Sequence, residues 1–369
     1  MNLLDKQTDS QKIEGIVTAV QANFYKVKLA KFGLWSKLED ARPYLLCTRR
    51  TRLKKIGQKV MVGDRVIIEE PDWQDGRGAI SRVLPRNTEL QRPPVANATR
   101  ILLVFAVAQP NLDPWQLSRF LVKAESTNLE LCLCLNKCDL IEIEQQQEWR
   151  SRLEIWGYKP IFISVKQQQG IEQLYELLQD TITVVAGPSG VGKSSLIDRL
   201  IPDANLRVGR VSGKLQRGRH TTRHVELFEL PEGGLLADSP GFNQPNLTCE
   251  PRQLAWYFPE ARERLQQKDC QFSDCLHRDE PDCVVRGDWE RYEHYREFLE
   301  KAIAYQKNLQ DTPDEESQTK LKVKRVGKAQ YEPRLATKKY RRRSRRYKHQ
   351  TLQDIYSDRS IENLDEDYI

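Results

Sequence analysis

Eight consecutive residues, Gly187-Pro188-Ser189-Gly190-Val191-Gly192-Lys193-Ser194, follow the apolar run Thr181–Ala186 and match G-x-x-x-x-G-K-[ST]. Glycines at these positions let backbone N–H groups wrap a phosphate. A helix expected over Ser195–Leu200 would add its dipole at the same point. Lys193 is placed to reach the β- and γ-phosphates of a nucleotide, and the Ser194 hydroxyl to ligate Mg2+. Expected contacts run from Gly187 to Ser195. A glycine-rich turn that binds nothing would not need the flanking strand and helix. The loop alone does not say which nucleotide it holds.

Asn136-Lys137-Cys138-Asp139 closes the apolar run Leu131–Leu135, at the carboxyl end of a strand, where open α/β sheets bind ligands. It resembles the N-K-x-D element of GTPases. A carboxylate at Asp139 can accept from both the N1–H and the 2-amino group of guanine. Adenine lacks that pair of donors, so the wrong base would leave the carboxylate unpaired. Lys137 would lie along the purine face, Asn136 would hold the loop, and Cys138 falls within the contact stretch. Ser164-Val165-Lys166 stands where GTPases usually carry Ser-Ala-Lys; Val165 is the departure.

Two further segments read as phosphate sensors. Asp238-Ser-Pro-Gly241 resembles the D-x-x-G switch, with Asp238 holding Mg2+ through water and the Gly241 N–H sensing the γ-phosphate. The next residue is Phe242, not the glutamine that orients the attacking water in Ras-like proteins. An apolar side chain cannot position water, so catalysis needs another group or a partner. Gly218-Arg219-His220-Thr221-Thr222 lies where the first switch must fall. Thr222 would close over Mg2+, and His220 would orient water or take its proton. A loop histidine facing a partner is the alternative. His220, Lys193 and Thr222 form the expected catalytic set.

A different chemistry is spaced along Cys270-x4-Cys275-x-His277-x5-Cys283. Three thiolates and one imidazole are the set for a closed, tetrahedral, structural Zn2+ site with no position left for water. The other cysteines carry less. Cys132, Cys134 and Cys138 lie in or beside an apolar run, where free cysteine acts as a small hydrophobe, and Cys47 and Cys249 stand alone. The pattern suits metal binding more than disulfides.

The elements that must position these groups fall into four blocks. Residues 11–87 show period-2 alternation (Tyr25, Val27 and Leu29 against Lys26 and Lys28), a strand pair expected around Gly63-Asp64 within Val60–Ile68, and a basic loop from Arg49 to Lys55. They suit an OB-type barrel or another small five-stranded barrel. Residues 88–248 alternate apolar runs with amphipathic stretches such as Ile171–Leu178, the texture of a parallel sheet with crossover helices. Residues 249–308 look helical around the Cys/His cluster. Residues 309–369 offer little from which to build a core, and are expected to be disordered or to fold on a partner.

Charge singles out that last block. Lys320–Gln350 carries 14 Lys/Arg against Glu332 alone, a balance of +13 where the whole chain has +7. The remainder is therefore acidic, and any polyanion contact is local to the tail. Lys338–Tyr347 interleaves the basic residues with tyrosine, a composition for rRNA contact by phosphate neutralisation and base stacking; a solvated tail or a targeting signal is the alternative. With 39% hydrophobic residues a core can form, and no window approaches the roughly 18 apolar residues of a membrane span. The start, MNLLDKQTDS, shows no secretory pattern, so a cytoplasmic protein with no membrane contact is expected.

In an ordinary GTPase the phosphate loop comes first and the base motifs last. Here the base motifs come first, as in a circular permutation of the same sheet. An OB-like start, permuted motifs, the G-R-H-T-T segment and the zinc cluster together resemble the family of circularly permuted GTPases of small-ribosomal-subunit biogenesis, over roughly residues 13–300. The resemblance implies GTP/GDP, Mg2+ and one structural Zn2+ as ligands, with the family's zinc ligands falling on Cys270, Cys275, His277 and Cys283. It also implies GTP hydrolysis stimulated by the small subunit (rRNA and ribosomal proteins) late in its maturation, with release after hydrolysis; a monomer is expected. Two other readings use the same residues: an rRNA-binding zinc/OB module that takes GTP without significant turnover, and a small P-loop kinase, which leaves Asn136–Asp139 unexplained.

Overall fold

The computed structural model describes residues 13–30, 43–91, 93–201, 225–238, 249–311, 319–323 and 329–333. Alternation in the first block produces a barrel. Strands β1 (Ile13–Gln21), β2 (Phe24–Leu29), β3 (Tyr44–Arg49), β4 (Arg65–Asp72) and β5 (Arg77–Val83) close in the order β1-β2-β3-β5-β4. Adjacent strands are antiparallel except β3 and β5, which run parallel. Tyr25, Val27 and Leu29 are buried in the barrel core, as their spacing requires. The basic loop is partly helical: α1 (Thr51–Lys55) tucks Leu53 into that core and leaves its charges outside.

Val60–Ile68 is not a strand pair: β4 begins at Arg65, and the stretch before it makes one isolated bridge, Val62 to Val95. The buried Asp64 carboxylate explains the break. It accepts from the Met61 N–H at 2.8 Å and from Arg86 Nε and Nη2 at 2.7 and 3.0 Å. A carboxylate at 0% exposure must be paired in this way, and the pairing turns the chain out of the ladder.

A short hairpin, β6 (Glu89–Gln91) with β7 (Pro94–Ala96), leads into an α/β layer. Strands β8 (Arg100–Ala106), β9 (Glu130–Asn136), β10 (Ile161–Phe162), β11 (Ile182–Ala186), β12 (Leu227–Glu229) and β13 (Leu235–Asp238) lie in the order β10-β9-β8-β11-β13-β12. All pairs are parallel except β12 with β13. Every residue of β8 is buried, because helices cover both faces of the sheet. Ile101, Leu103 and Phe105 face α2 (Pro114–Glu125) and α3 (Ile143–Ile155); Leu102, Val104 and Ala106 face α4 (Ile171–Leu178) and α5 (Lys193–Leu200). The sequence starts α2 plainly: Pro114 sits in its first turn and the Asp113 side chain accepts from the Trp115 N–H at 3.0 Å.

The Cys/His block follows with a 3-10 stretch Pro251–Tyr257, then α6 (Pro259–Gln267), an irregular segment, and α7 (Tyr292–Asp311). Leu254, Phe258, Val285, Tyr295 and Phe298 form its core together with Val122 of α2, which is how it docks on the sheet's helical layer. The side chain of Arg291 is fully buried at this junction. It donates from Nε to Glu260 Oε1 at 2.8 Å, pairs also with Oε2, and lies 4.8 Å over the Trp156 ring and 4.9 Å over Phe258. Among the described residues no helix is long and apolar enough to cross a membrane.

Residues 304–369 form a second unit, which contains an antiparallel hairpin of β14 (Thr319–Val323) and β15 (Ala329–Pro333). Sequence reading placed no strand in the tail, although Thr319, Leu321 and Val323 alternate with lysines at period 2. The charge run concealed the signal. The basic stretch Lys338–Tyr347 lies outside the described residues.

Removing one partner of a buried ion pair leaves the other uncompensated, at a cost of about 3–5 kcal/mol. Arg291→Leu is therefore expected to lower unfolding stability by about that much. Adding Glu260→Leu should recover much of the loss, as measured by denaturant titration of both variants.

Candidate functional site

At the end of β11 the chain turns through Gly187, with φ +140°, where a Cβ would lie 2.1 Å from the Val104 carbonyl oxygen. Only glycine lets the loop pass that close to β8. Gly192, at φ +95°, precedes α5, and a Cβ there would sit 2.4 Å from Asn136 Nδ2. The phosphate loop is thus packed against the base motif from the next strand but one. Asn136 Nδ2 donates to the Val191 carbonyl at 2.9 Å. Its Oδ1 accepts from the Lys137 N–H at 2.8 Å and the Val165 N–H at 3.4 Å. One buried carboxamide joins the loops after β9, β10 and β11.

Lys137 takes a left-handed backbone conformation, φ +63°, and reaches back over the loop. Its Nζ donates to the Gly190 carbonyl at 2.9 Å and to the Gln109 carbonyl. Cys138 is buried, donates its N–H to the Ile163 carbonyl at 3.1 Å, and directs its thiol at Gln169 Oε1, 3.6 Å away. Asp139 follows in a short 3-10 turn and is half-buried at the strand end. Ser164 is buried, its backbone paired both ways with Gln169 (3.1 and 3.0 Å) and its Oγ accepting the Gln167 N–H at 3.0 Å. The Ser164-Val165-Lys166 segment therefore sits in a closed turn facing the base motif.

On the phosphate side, Lys193 Nζ donates to the carbonyls of Gly187 (2.8 Å) and Pro188 (2.5 Å). Burial lowers its pKa, and the Asp238 charge opposes that shift. Asp238 ends β13 and is paired in register with Val185 of β11, which puts it beside the phosphate loop. Ser194 and Ser195 are exposed in the first turn of α5, and Ser189 and Gly190 at the tip, while Pro188 and Val191 are buried. The structure thus brings Asn136, Lys137, Asp139, Ser164, the 187–195 loop and Asp238 to one set of strand ends. His220, Thr222, Gly241 and Phe242 lie outside the described residues.

The Cys/His cluster is equally specific. His277 Nδ1 lies 3.5, 3.4 and 3.4 Å from the Sγ atoms of Cys270, Cys275 and Cys283, and Cys270 Sγ is 3.9 Å from Cys283 Sγ. A tetrahedral zinc ion with Zn–S of about 2.3 Å and Zn–N of about 2.0–2.1 Å has N···S edges of about 3.6 Å and S···S edges of about 3.8 Å. The donor set and its spacing fit that ion. Burial and the neighbouring thiols push the Cys275 thiol up to about 12, a crowding that a coordinated cation reverses by holding thiolates. Around the cluster, Tyr292 Oη donates to the His277 carbonyl at 3.0 Å and Tyr295 Oη to the Leu276 carbonyl at 2.8 Å. Burial alone would raise the Glu280 carboxyl, but N–H groups of Leu276, Arg278 and Asp279 hold it down to about 2. The other thiols behave as packing: burial pushes Cys132 up to about 11 and Cys134 well above the ordinary range.

Three participants were not found by sequence reading. Gln109 contributes only a backbone carbonyl, which no motif records, although the loop after β8 is where a ligand-edge contact is expected. Gln169 and Gln146 (whose Nε2 donates to the Cys138 carbonyl at 3.1 Å) are glutamines among glutamines, indistinguishable by pattern.

A central parallel strand feeding a phosphate loop, with the base-reading turn two strands away and earlier in the chain, defines a P-loop GTPase of circularly permuted order. A family model described as RsgA GTPase matches residues 83–248. The chain is 64% identical over 358 residues to the small ribosomal subunit biogenesis GTPase RsgA of Trichormus variabilis, covering 93% of this chain and 97% of that one. It is 53% identical to the protein of the same name from Synechocystis, covering 99% and 100%. Among solved structures, YjeQ from Thermotoga maritima superposes with a TM-score of 0.64 at 32% identity, covering 79% of this chain and 99% of that one. YloQ, described as a circularly permuted GTPase, gives 0.65 at 30%, covering 81% and 97%. The chain belongs to the RsgA GTPase family, and it is a GTP hydrolase. Membership implies a guanine nucleotide and Mg2+.

Two outcomes follow from this geometry. Asn136→Ala leaves the Val191 carbonyl and two loop N–H groups without their partner, so affinity for GDP and for a GTP analogue should both fall by about tenfold or more in nucleotide titrations. Stripping zinc with a strong chelator, or Cys283→Ser, should unfold the Cys/His block and shift the emission of the buried Trp289 to longer wavelength, with the barrel strands still protected in hydrogen exchange.

Proposed function

We propose that this chain binds the small ribosomal subunit and hydrolyses GTP during late maturation of that subunit, with hydrolysis accelerated by the subunit itself. The observation that carries the reading is the Asn136 contact to Val191, which joins the Asn136–Asp139 turn to the phosphate loop across the intervening strand β8. The subunit enters through the names of the relatives, which are small ribosomal subunit biogenesis GTPases.

In this reading Asp139 accepts from guanine, Lys137 flanks the purine, and Ser164 holds the turn beside it. Backbone N–H groups of Gly187 through Ser195 cradle the phosphates. Lys193 exchanges the Gly187 and Pro188 carbonyls for β- and γ-phosphate oxygens. Ser194, Thr222 and, through water, Asp238 hold Mg2+, which would neutralise developing phosphate charge. The Gly241 N–H senses the γ-phosphate. Phe242 cannot orient water, so His220 does so, with the subunit accelerating the step. Cys270, Cys275, His277 and Cys283 hold a structural zinc ion, and the Lys338–Tyr347 run contacts rRNA. The four blocks 11–87, 88–248, 249–308 and 309–369 serve as barrel, GTPase, zinc module and tail.

GTP turnover measured with and without purified small subunits tests the reading. A clear acceleration is expected, and His220→Ala should remove about a hundredfold of the stimulated rate while nucleotide affinity stays near that of the parent chain. Subunits that bind without changing the rate would count against partner-completed catalysis. An unaffected His220→Ala rate would take the histidine out of the mechanism.

A further inference from the structure

The barrel grips one particular strand of the GTPase sheet. β1 carries a bulge: its register against β2 passes from Val17↔Val27 to Ala19↔Lys26, skipping Thr18, whose hydroxyl donates to the Lys26 carbonyl at 3.2 Å. Just past the bulge, Ala19 makes an antiparallel bridge to Glu226, the residue before β12. Ile16 and Val20 of the same strand pack on the cluster that contains Val225 and Leu227. From β2 and β3, Lys28 and Tyr44 converge on Glu229: Tyr44 Oη donates to Oε2 at 2.7 Å, and Lys28 pairs with Oε1. Lys26 Nζ lies 3.7 Å from Glu226 Oε1 and 4.7 Å over the Tyr44 ring.

The gripped strand has a special place in the chain. β12 pairs with β13, Leu227 opposite Ala237 and Glu229 opposite Leu235. β13 ends at Asp238, in register with the phosphate-loop strand and within electrostatic reach of Lys193. In sequence, β12 follows the Gly218–Thr222 segment, and β13 runs into Asp238–Gly241. The barrel therefore holds the stretch between the two segments read as phosphate sensors.

The character of the grip matters as much as its place. Lys28 and Glu229 side chains are 28% and 42% exposed, so their pairing is weak and screened by solvent. Burial by itself would raise the Glu229 carboxyl, but Lys28 and Tyr44 hold it below the ordinary carboxylate range, so it stays charged and able to pair. The polar part of the contact, at Lys28, Tyr44 and Glu229, can change its pairing while Ile16 and Val20 keep their packing beside Val225 and Leu227.

We propose that β12 couples the barrel to the nucleotide, with Glu229 as a positioning residue whose contact to Lys28 and Tyr44 differs in strength between the GTP- and GDP-bound chain. Coupling is reciprocal: whatever binds the barrel and shifts it changes the preference for GTP over GDP by the same factor. This rests on the nucleotide reading given above.

The test uses the full chain with Lys28→Glu, Glu229→Lys and the double reversal, titrated with fluorescent GDP and a fluorescent non-hydrolysable GTP analogue. Each single reversal should change the ratio of the two affinities by about threefold or more, and the double reversal should bring it back toward the parent value. A ratio unmoved in both singles, even with a lowered melting temperature, would show a structural contact only and end the proposal. Tyr44→Phe, which removes one hydrogen bond and no charge, serves if a reversal does not fold: about a twofold change in the ratio is expected, and none would again count against it. A parent chain that binds neither nucleotide sinks the reading of the site, and the coupling with it. Binding with a fixed ratio sinks the coupling alone.

Discussion

A buried carboxamide decides the geometry of the nucleotide site. Asn136 ends β9, yet its amide is spent on Val191 of the phosphate loop, on the start of its own turn and on the turn after β10. An amide at 2% exposure persists only with its donors and acceptors satisfied, so the three loops are ordered together or not at all. The distance between the Asn136–Asp139 turn and the 187–195 loop is thereby set by covalent geometry and three hydrogen bonds. Gly192 belongs to the same constraint, since any side chain there would displace the amide. Lys137 repeats the pattern at the surface, tying the tip of the phosphate loop at Gly190 to the Gln109 loop.

That second tie leads outward. The Gln109 loop runs directly into α2, and α2 is the bed on which the Cys/His block sits, through Val122, through Glu125 with Arg262, and through Trp115, whose ring is tilted against that of His294 with centroids 3.9 Å apart. From α7 the hydroxyls of Tyr292 and Tyr295 reach carbonyls of the loop that carries the Cys/His cluster. The permuted order attaches this block covalently downstream of β13, while packing attaches it to α2. It has two routes to the nucleotide, one through the chain and one through a helix.

How much of this could be read from the sequence depends on the kind of contact. The phosphate loop, the base turn and the Cys/His set were readable because glycine, carboxylate and thiol chemistry demand particular residues at short spacing. β8 and β11 were readable because a strand covered on both faces is largely apolar, as Ile101–Ala106 and Val184–Ala186 are. The barrel's β2 was readable from three inward residues alternating with lysines. Val60–Gly63 misled because an apolar run next to Gly-Asp resembles a hairpin, and only the Asp64–Arg86 pairing, 22 residues apart, reveals that it is not. Asn136 to Val191 spans 55 residues and Lys28 to Glu229 spans 201. Before folding, such residues look like any polar surface group, because nothing local distinguishes a charge that faces water from one that faces another domain.

Among the described residues, the strand held by the barrel is also the last strand of the sheet on that side. Ala19 bridges Glu226 just before β12 and so sits against that edge, where an unpaired strand is an open template for another chain. A chain that lost its first block would present that edge, with Phe228 and the apolar residues beside it, to any extended peptide nearby. During synthesis the barrel precedes the sheet and can be formed before β12 emerges. The order of the blocks along the chain thus lets a folded barrel meet β12 as that strand forms.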